Sequence, residues 1–340
     1  MVALWRGLIS YDRLRRTSKW LALLVLVSGC TGVQSVLDPK GPAAQTIVES
    51  WWLMFWGAWA IFALVIVLAL YAVYRRPERY LRISSVKLII AGGVVLPVVI
   101  LSALLIYGIA MSNVLRGAIE TELLRIRVVG NQWWWEVYYP DAMPGQTVIT
   151  ANEIHIPVGR PVEVAVTTRD VIHSFWVPNL AGKIDLMPGR VNTVRIQADT
   201  PGRFRGQCAE FCGAQHARMA FWVVAQPEQD FMDWVEQQRR PAREPDTQHL
   251  VQGREAFLTV GCSDCHTIRG TAATGLDGPD LTHVGSRMTL AAGTLDNNFA
   301  ALAAWIANSQ TIKPGNRMEP FQDLKISTLL AITSYLESLE

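Results

Sequence analysis

Cys208-Ala209-Glu210-Phe211-Cys212-Gly213-Ala214-Gln215-His216-Ala217-Arg218-Met219 places two thiols, one imidazole and one thioether within twelve residues. Soft sulfur donors beside an imidazole suit copper or zinc, and the thioether weighs toward copper because zinc sites are built from Cys, His and carboxylate. Asp170-Val171-Ile172-His173-Ser174-Phe175 brings a second imidazole from upstream. Taken alone, Met219 beside a strand reads as a core methionine and His173 as a hydrogen-bonded loop histidine. The cluster, not its members, argues for a metal, and it needs a rigid scaffold to gather its loops.

That scaffold is legible on both sides of the cluster. Leu124–Val129, Val162–Thr167, Thr193–Gln197 and Ala220–Val224 are short alternating stretches, punctuated by Pro157-Val158-Gly159, Met187-Pro188-Gly189 and Pro201-Gly202. Many short strands with turn signals between them predict an all-β sandwich or barrel. Within it, Gly130-Asn131-Gln132-Trp133-Trp134-Trp135-Glu136 carries three successive indoles. Side chains alternate faces along a strand, so the three do not share one core. Trp134 and Trp135 read equally as packing or interface groups. His155 matches no ligand position and reads as structural or solvated.

The first third of the chain is apolar. Arg6, Arg13, Arg15, Arg16 and Lys19 precede the run Trp20–Val27 and then Ser28-Gly29-Cys30. Basic, then apolar, then small residues is the layout of a signal peptide. Val27-Ser28-Gly29-Cys30 resembles a bacterial lipoprotein cleavage box, which would leave Cys30 as a lipidated first residue. Ser50–Tyr74 and Leu88–Val114 carry no charge and are long enough to cross a bilayer. Arg75, Arg76, Arg79, Arg82 and Lys87 lie between them, so the positive-inside rule puts that loop in the cytoplasm and the rest of the chain outside. Pro97 is placed to kink the second span. A net charge of +2 gives no electrostatic case for nucleic acid.

Behind the strands, Pro227–Arg239 predicts a short helix and Pro241-Ala242-Arg243-Glu244-Pro245-Asp246 a linker. Cys262-Ser263-Asp264-Cys265-His266 then gives the C-x-x-C-H pattern of covalent c-type haem attachment. The helical stretches around Gly253–Phe257 and over Ile326–Leu339 are expected to pack through Tyr335. His249 reads as a solvated linker residue, and His283 as a group at the haem edge or the surface.

Asp170–Pro178, Lys183-Ile184-Asp185, Pro188-Gly189-Arg190 and Gly206–Met219 together resemble subunit II of the haem-copper oxidase family, over the chain from the hairpin to about Pro227. About 90 residues behind them resemble a class I cytochrome c. The resemblance implies a two-helix transmembrane hairpin, an all-β cupredoxin-like Greek-key barrel and an all-α class I cytochrome c domain. The expected division is 1–29 signal peptide, 30–116 N-terminal segment and hairpin (helices about 50–74 and 88–114), 117–227 copper domain, 228–248 helix and linker, and 249–340 cytochrome.

The resemblance also implies the site. A dinuclear copper centre (CuA) would be bridged by Cys208 and Cys212, with His173 and Met219 on one copper and His216 and the Glu210 carbonyl on the other. The Glu210 carboxylate would help hold magnesium shared with the catalytic subunit, and Trp133 would be where electrons enter. Cys262 and Cys265 would form thioethers to one haem c, with His266 and Met318 as axial ligands. Gly278-Pro279-Asp280-Leu281 would back the haem, and Lys313-Pro314-Gly315-Asn316-Arg317-Met318 would present the sixth ligand. Glu319 stands where relatives often place Pro directly after the methionine, and Met288 sits in a less suitable context.

The implied function is electron transfer in a respiratory cytochrome c oxidase of the bacterial inner (plasma) membrane. Electrons from soluble or membrane-bound cytochrome c, or from an upstream quinol-oxidising complex, would pass through the chain to subunit I, beside subunit III. There dioxygen is reduced to water with proton translocation. A quinol oxidase subunit II would lack the Cys208–Met219 set. A CuA-containing nitric oxide reductase would use a similar subunit, and a non-enzymatic copper-handling lipoprotein would need no haem. Many relatives carry a Glu near the cytoplasmic start of the second span. Arg82–Leu96 has no acid, and Glu78 is the nearest.

Overall fold

The computed structural model describes residues 31–74, 84–116, 123–140 and 147–340. The signal peptide over 1–29, Cys30, Glu78 and the arginines of the basic loop lie outside the described residues.

The first membrane helix runs Pro42–Tyr74, beginning well before the expected position near 50. Proline is pre-set for a first helical turn, and Thr46 and Glu49 extend that turn above the uncharged stretch. At 33 residues the helix is about 50 Å long, against a hydrocarbon core of about 30 Å. Its first turns therefore stand clear of the lipid, and Ala44 and Val48 are buried there. The second span is Ser85–Ile90, a π-helical turn Ala91–Val95, and Leu96–Arg116. Pro97 lacks an N–H and its ring crowds the preceding turn, so the helix widens just before it. Both helices are long and apolar enough to cross a membrane.

Residues 31–41 lie along the β domain. The Lys40 amide donates to the Asn179 carbonyl (2.7 Å), the Asp199 amide to the Lys40 carbonyl (2.8 Å), and the Ala44 amide to the Leu180 carbonyl (3.2 Å). A Cβ at Gly41 would sit 2.0 Å from the Gln197 carbonyl oxygen, so only glycine allows this approach.

The β domain is a sandwich of two five-stranded sheets. One holds β1 (Leu124–Asn131), β2 (Trp134–Tyr139), β3 (Val148–Ala151), β5 (Val162–Thr168) and β8 (Asn192–Ile196), in the order β3-β2-β1-β5-β8. The other holds β4 (Glu153–Pro157), β6 (His173–Trp176), β7 (Ile184–Leu186), β9 (Gly202–Cys208) and β10 (Ala220–Gln226), in the order β4-β10-β9-β6-β7. Alternate residues of β5 point inward: Val162, Val164 and Val166 are fully buried. They meet Ile126, Val128, Trp135, Phe175 and Phe221 between the sheets. His155 is structural and not solvated. Its Nε2 is 2.8 Å from Glu153 and its ring stacks on Trp234 at 4.0 Å.

Helix Glu228–Arg239 leads to an extended connection that is itself tied down, the Ala242 amide donating to the Arg269 carbonyl. In the last domain helices Gln248–Thr259 and Ile326–Glu337 cross at Gly253, where Phe257 and Tyr335 meet edge to face at 6.4 Å. His249 lies in the first of these helices and bonds Ser334 Oγ. The domain is helical apart from one short ribbon, Thr289–Leu290 paired with Leu295–Asp296. His283 is buried between the Arg240 and Glu340 oxygens, at neither the surface nor the cavity described below.

Candidate metal centre and the adjoining cavity

β6 delivers His173, β9 ends on Cys208, and β10 starts directly after Met219. Three strands of one sheet thus fix the ends of the two loops that carry the donors. Cys208 Sγ lies 3.7 Å from Cys212 Sγ, 3.8 Å from His173 Nδ1 and 3.1 Å from the Glu210 carbonyl oxygen. Cys212 Sγ lies 3.7 Å from His216 Nδ1 and 3.8 Å from Met219 Sδ. Metal–nitrogen and metal–sulfur arms of about 2.1 and 2.3 Å, meeting near the tetrahedral angle, end about 3.6 Å apart. The spacing therefore fits donors that share metal ions between them. His173, Cys208, Cys212 and Met219 are buried, His216 is half-buried, and the Glu210 carboxylate faces outward.

The hydrogen bond between the two sulfurs splits their acidities, lowering the Cys208 thiol and raising that of Cys212. A metal held by both sulfurs would take the place of their protons.

Asp170 orients the His173 ring. Its Oδ1 accepts from His173 Nε2 at 2.8 Å, which turns Nδ1 toward the sulfurs, and its Oδ2 accepts the Gln132 amide at 2.6 Å. Burial alone raises the Asp170 carboxyl, but the bonds from His173, Gln132 and Val171 outweigh it and leave the carboxyl lowered. Asp170→Asn is expected to weaken retention of a metal at this cluster about 10- to 100-fold with the fold intact, read by titrating copper against a competing chelator. The Asp-x-x-His spacing signalled this pair, although the sequence reading did not use it.

Trp134 and Trp135 take opposite faces as the strand period requires, and Trp133 lies in the turn just before β2. Trp135 is fully buried between Phe221 and His173, while Trp133 and Trp134 are half-buried. Trp133 Nε1 donates to the Cys212 carbonyl at 3.0 Å, and Gln132 Nε2 donates to the same oxygen at 2.9 Å. The first indole therefore sits directly on the cysteine loop.

Trp133 and Trp134 also line a cavity of about 850 Å³ whose other walls include Cys262, Cys265, His266, Arg287 and Met318. Helix-forming Cys262–Cys265 puts both thiols and the next imidazole on one wall. His266 Nδ1 donates to the Pro279 carbonyl at 2.8 Å, leaving Nε2 for the cavity. A Cβ at Gly278 would stand 2.5 Å from the His266 ring. The Gly278–Leu281 loop thus backs the histidine itself. Met318 is held by Ser309 Oγ and Gln310 Nε2, both donating to its carbonyl, whereas Met288 is not among the described residues lining the cavity. The set of two thiols, an imidazole and a facing thioether in an apolar cradle fits a covalently held haem.

Lys313, which in the sequence only opens the loop leading to Met318, has a further contact that no pattern there announces. It is 3% exposed, and its Nζ donates to the Trp133 carbonyl at 2.8 Å and the Ala291 carbonyl at 3.1 Å. Burial pushes its ammonium down to about 7. No local pattern marks a contact between residues so far apart in the chain.

A family described as cytochrome c oxidase subunit II, periplasmic domain, matches residues 124–226, and one described as cytochrome c matches residues 250–340. A cytochrome c oxidase subunit 2 of Alkalihalophilus pseudofirmus is 33% identical over 331 residues, covering 94% of this chain and 95% of that protein. That of Bacillus subtilis is 30% identical, covering 66% of this chain and 65% of its own length. The solved periplasmic domain of cytochrome oxidase subunit II from Bradyrhizobium japonicum is 34% identical, covering 35% of this chain and 95% of that one, with a TM-score of 0.33. On this likeness, which runs nearly end to end with the first relative, the chain belongs to the cytochrome c oxidase subunit 2 family and carries a cytochrome c domain behind its periplasmic one.

Proposed function

We propose that this chain carries electrons from a c-type haem of its own to a dinuclear copper centre, and on to the catalytic subunit I of a proton-translocating oxidase that reduces dioxygen to water. Subunit III is the expected neighbour, and the upstream donor is a cytochrome c or a quinol-oxidising complex. Cys262 and Cys265 would hold the haem through their sulfurs, and His266 and Met318 would be the ligands to its iron. Cys208, Cys212, His173, Met219, His216 and the Glu210 carbonyl would hold the copper pair. When bound, haem and copper would supply one-electron redox chemistry. The residues supply position: a closely packed donor set of soft sulfurs and imidazoles would move little when the charge it holds changes. Trp133 is the residue through which electrons reach the copper loop.

The observation that carries this reading is Trp133, which bonds the Cys212 carbonyl on one side and lines the C-x-x-C-H cavity on the other. The outward Glu210 carboxylate is free to join a magnesium site shared with the partner, since a carboxylate with waters suits that ion. Cys30 is the proposed acylation site, and the inner membrane the proposed location.

Metal and haem analysis of the detergent-solubilised full chain, with optical and EPR spectra, tests the reading. Two coppers and one haem per chain, with the hyperfine pattern of one electron shared by two coppers, are expected. A folded chain holding haem but no copper after copper supplementation overturns it. Assay of the assembled complex against dioxygen and nitric oxide then decides the acceptor.

A further inference from the structure

We propose that Lys313 is a positioning residue that clamps the cytochrome domain onto the backbone of Trp133, closing that tryptophan to external donors so that electrons arrive only from the cavity beside it. This deepens the electron-transfer reading above and rests on it.

A lysine this deeply buried is unusual. Ordering its long side chain and removing its head group from water are both unfavourable, so the site persists only where strong acceptors compensate. Two acceptors meet it, and they come from different domains: the Trp133 carbonyl from the loop before β2, and the Ala291 carbonyl from the cytochrome domain. The turn carrying Ala291 is itself fastened. Ala291 and Ala292 have φ of 52° and 57°, and the Ala292 carbonyl accepts the amide of Ala220, the residue after Met219. A few residues earlier, the Met288 amide donates to the buried Glu153 carboxylate at 2.9 Å. The cytochrome domain is thus held at β10, at β4 and, through Lys313, at the indole loop.

The segment around Lys313 is also tied to the loop between Cys208 and Met219: buried Gln215 donates through Nε2 to the Pro314 carbonyl, and Arg218 donates to the Ile312 carbonyl. Arg317 reaches Asp170 at 3.7 Å and Gln132 at 3.3 Å, and its side chain is 68% exposed. Exposed pairs of this kind contribute little. What sets Lys313 apart among the described contacts is its bond to Trp133 itself, the residue whose indole touches the cysteine loop. Its loop also runs on to Met318, so the same segment places the cavity-facing thioether and the clamp. Trp133 keeps its partial exposure toward the shared cavity. A donor arriving from outside reaches it only if the cytochrome domain lifts away.

The test uses Lys313→Met in the assembled oxidase, with Lys313→Gln as a second variant should the first fail to assemble. Three quantities are read: internal haem-to-copper electron transfer after flash reduction, direct reduction of copper by added soluble cytochrome c, and hydrogen exchange at 130–134 and 289–294 in the copper-free full chain. The clamp predicts internal transfer slower by about 10-fold or more, since small misplacements of a reacting pair are costly. It also predicts direct copper reduction that the wild type lacks, and faster exchange at both segments, with haem and copper spectra unchanged. A merely structural lysine would lower the melting temperature without opening the direct route. Native spectra with unchanged internal rate and unchanged exchange overturn the clamp. A wild-type chain without copper overturns the underlying reading instead, and the copper-free exchange still decides the clamp.

Discussion

Cys212→Ser is expected to abolish the shared-electron copper signal and to cut electron delivery to the partner by at least about 100-fold, because it would remove a metal donor outright where losing a hydrogen bond to a donor alone costs about 10- to 100-fold. Cys212 Sγ is the hub of the cluster, within 3.8 Å of Cys208 Sγ, His216 Nδ1 and Met219 Sδ. Serine offers a shorter, harder donor that stays protonated near neutral pH, so neither a soft metal nor a bridge between two metals is served. The backbone carbonyl at the same position is untouched. Trp133 and Gln132 keep their acceptor, and the loop should hold its shape. Copper content and EPR of the full chain read the loss, with the haem spectrum as an internal control. A native copper signal in this variant would remove Cys212 from the ligand set.

The second large effect concerns the cytochrome domain. Gly253→Ala should destabilise it by about 3 kcal/mol or more, at the upper end of overpacking penalties. The new Cβ would lie 2.1 Å from the Ala331 carbonyl oxygen and 2.8 Å from Tyr335 Cβ. The first obstacle is backbone, so no rotamer relieves it and the two helices must separate. Their separation also breaks the Phe257–Tyr335 contact that closes one end of the domain. Chemical denaturation followed at the haem band measures the loss. Gly32→Ala, which meets nothing within 4 Å, is the control. Equal midpoints for the two variants would show that the crossing is looser than its geometry implies.

The strands were readable because valines at alternate positions of β5 have only one way to reach a core. The donor cluster was readable for a different reason: thiols, imidazoles and a thioether so close together have few other uses. Helix ends were harder. The uncharged stretch begins near Ser50, while Thr46 and Glu49 belong to the same helix above the lipid. The sequence reading left His155 between two fates, yet Glu153 two residues earlier shares its face of β4 and bonds it. The contacts between the domains had no local signature. Lys313 and Trp133 are brought together by how two folded units meet, and nothing in the segment around Lys313 marks the contact.

The fastening of residues 31–41 to the β domain has a mechanical meaning. Lys40 is bonded through both its amide and its carbonyl, Gly41 is wedged against Gln197, and the helix begins at once with Pro42. No slack peptide separates the barrel from its first span, so that helix behaves as a rigid mast. A cavity of about 500 Å³ at its foot is lined by Ala44 and Ile47 of the mast together with Cys208 and His216. Membrane helices answer changes in bilayer thickness by tilting. Here a tilt of the mast would turn the face carrying Cys208 and His216 with it, so that bilayer thickness would be read out as an angle of that face.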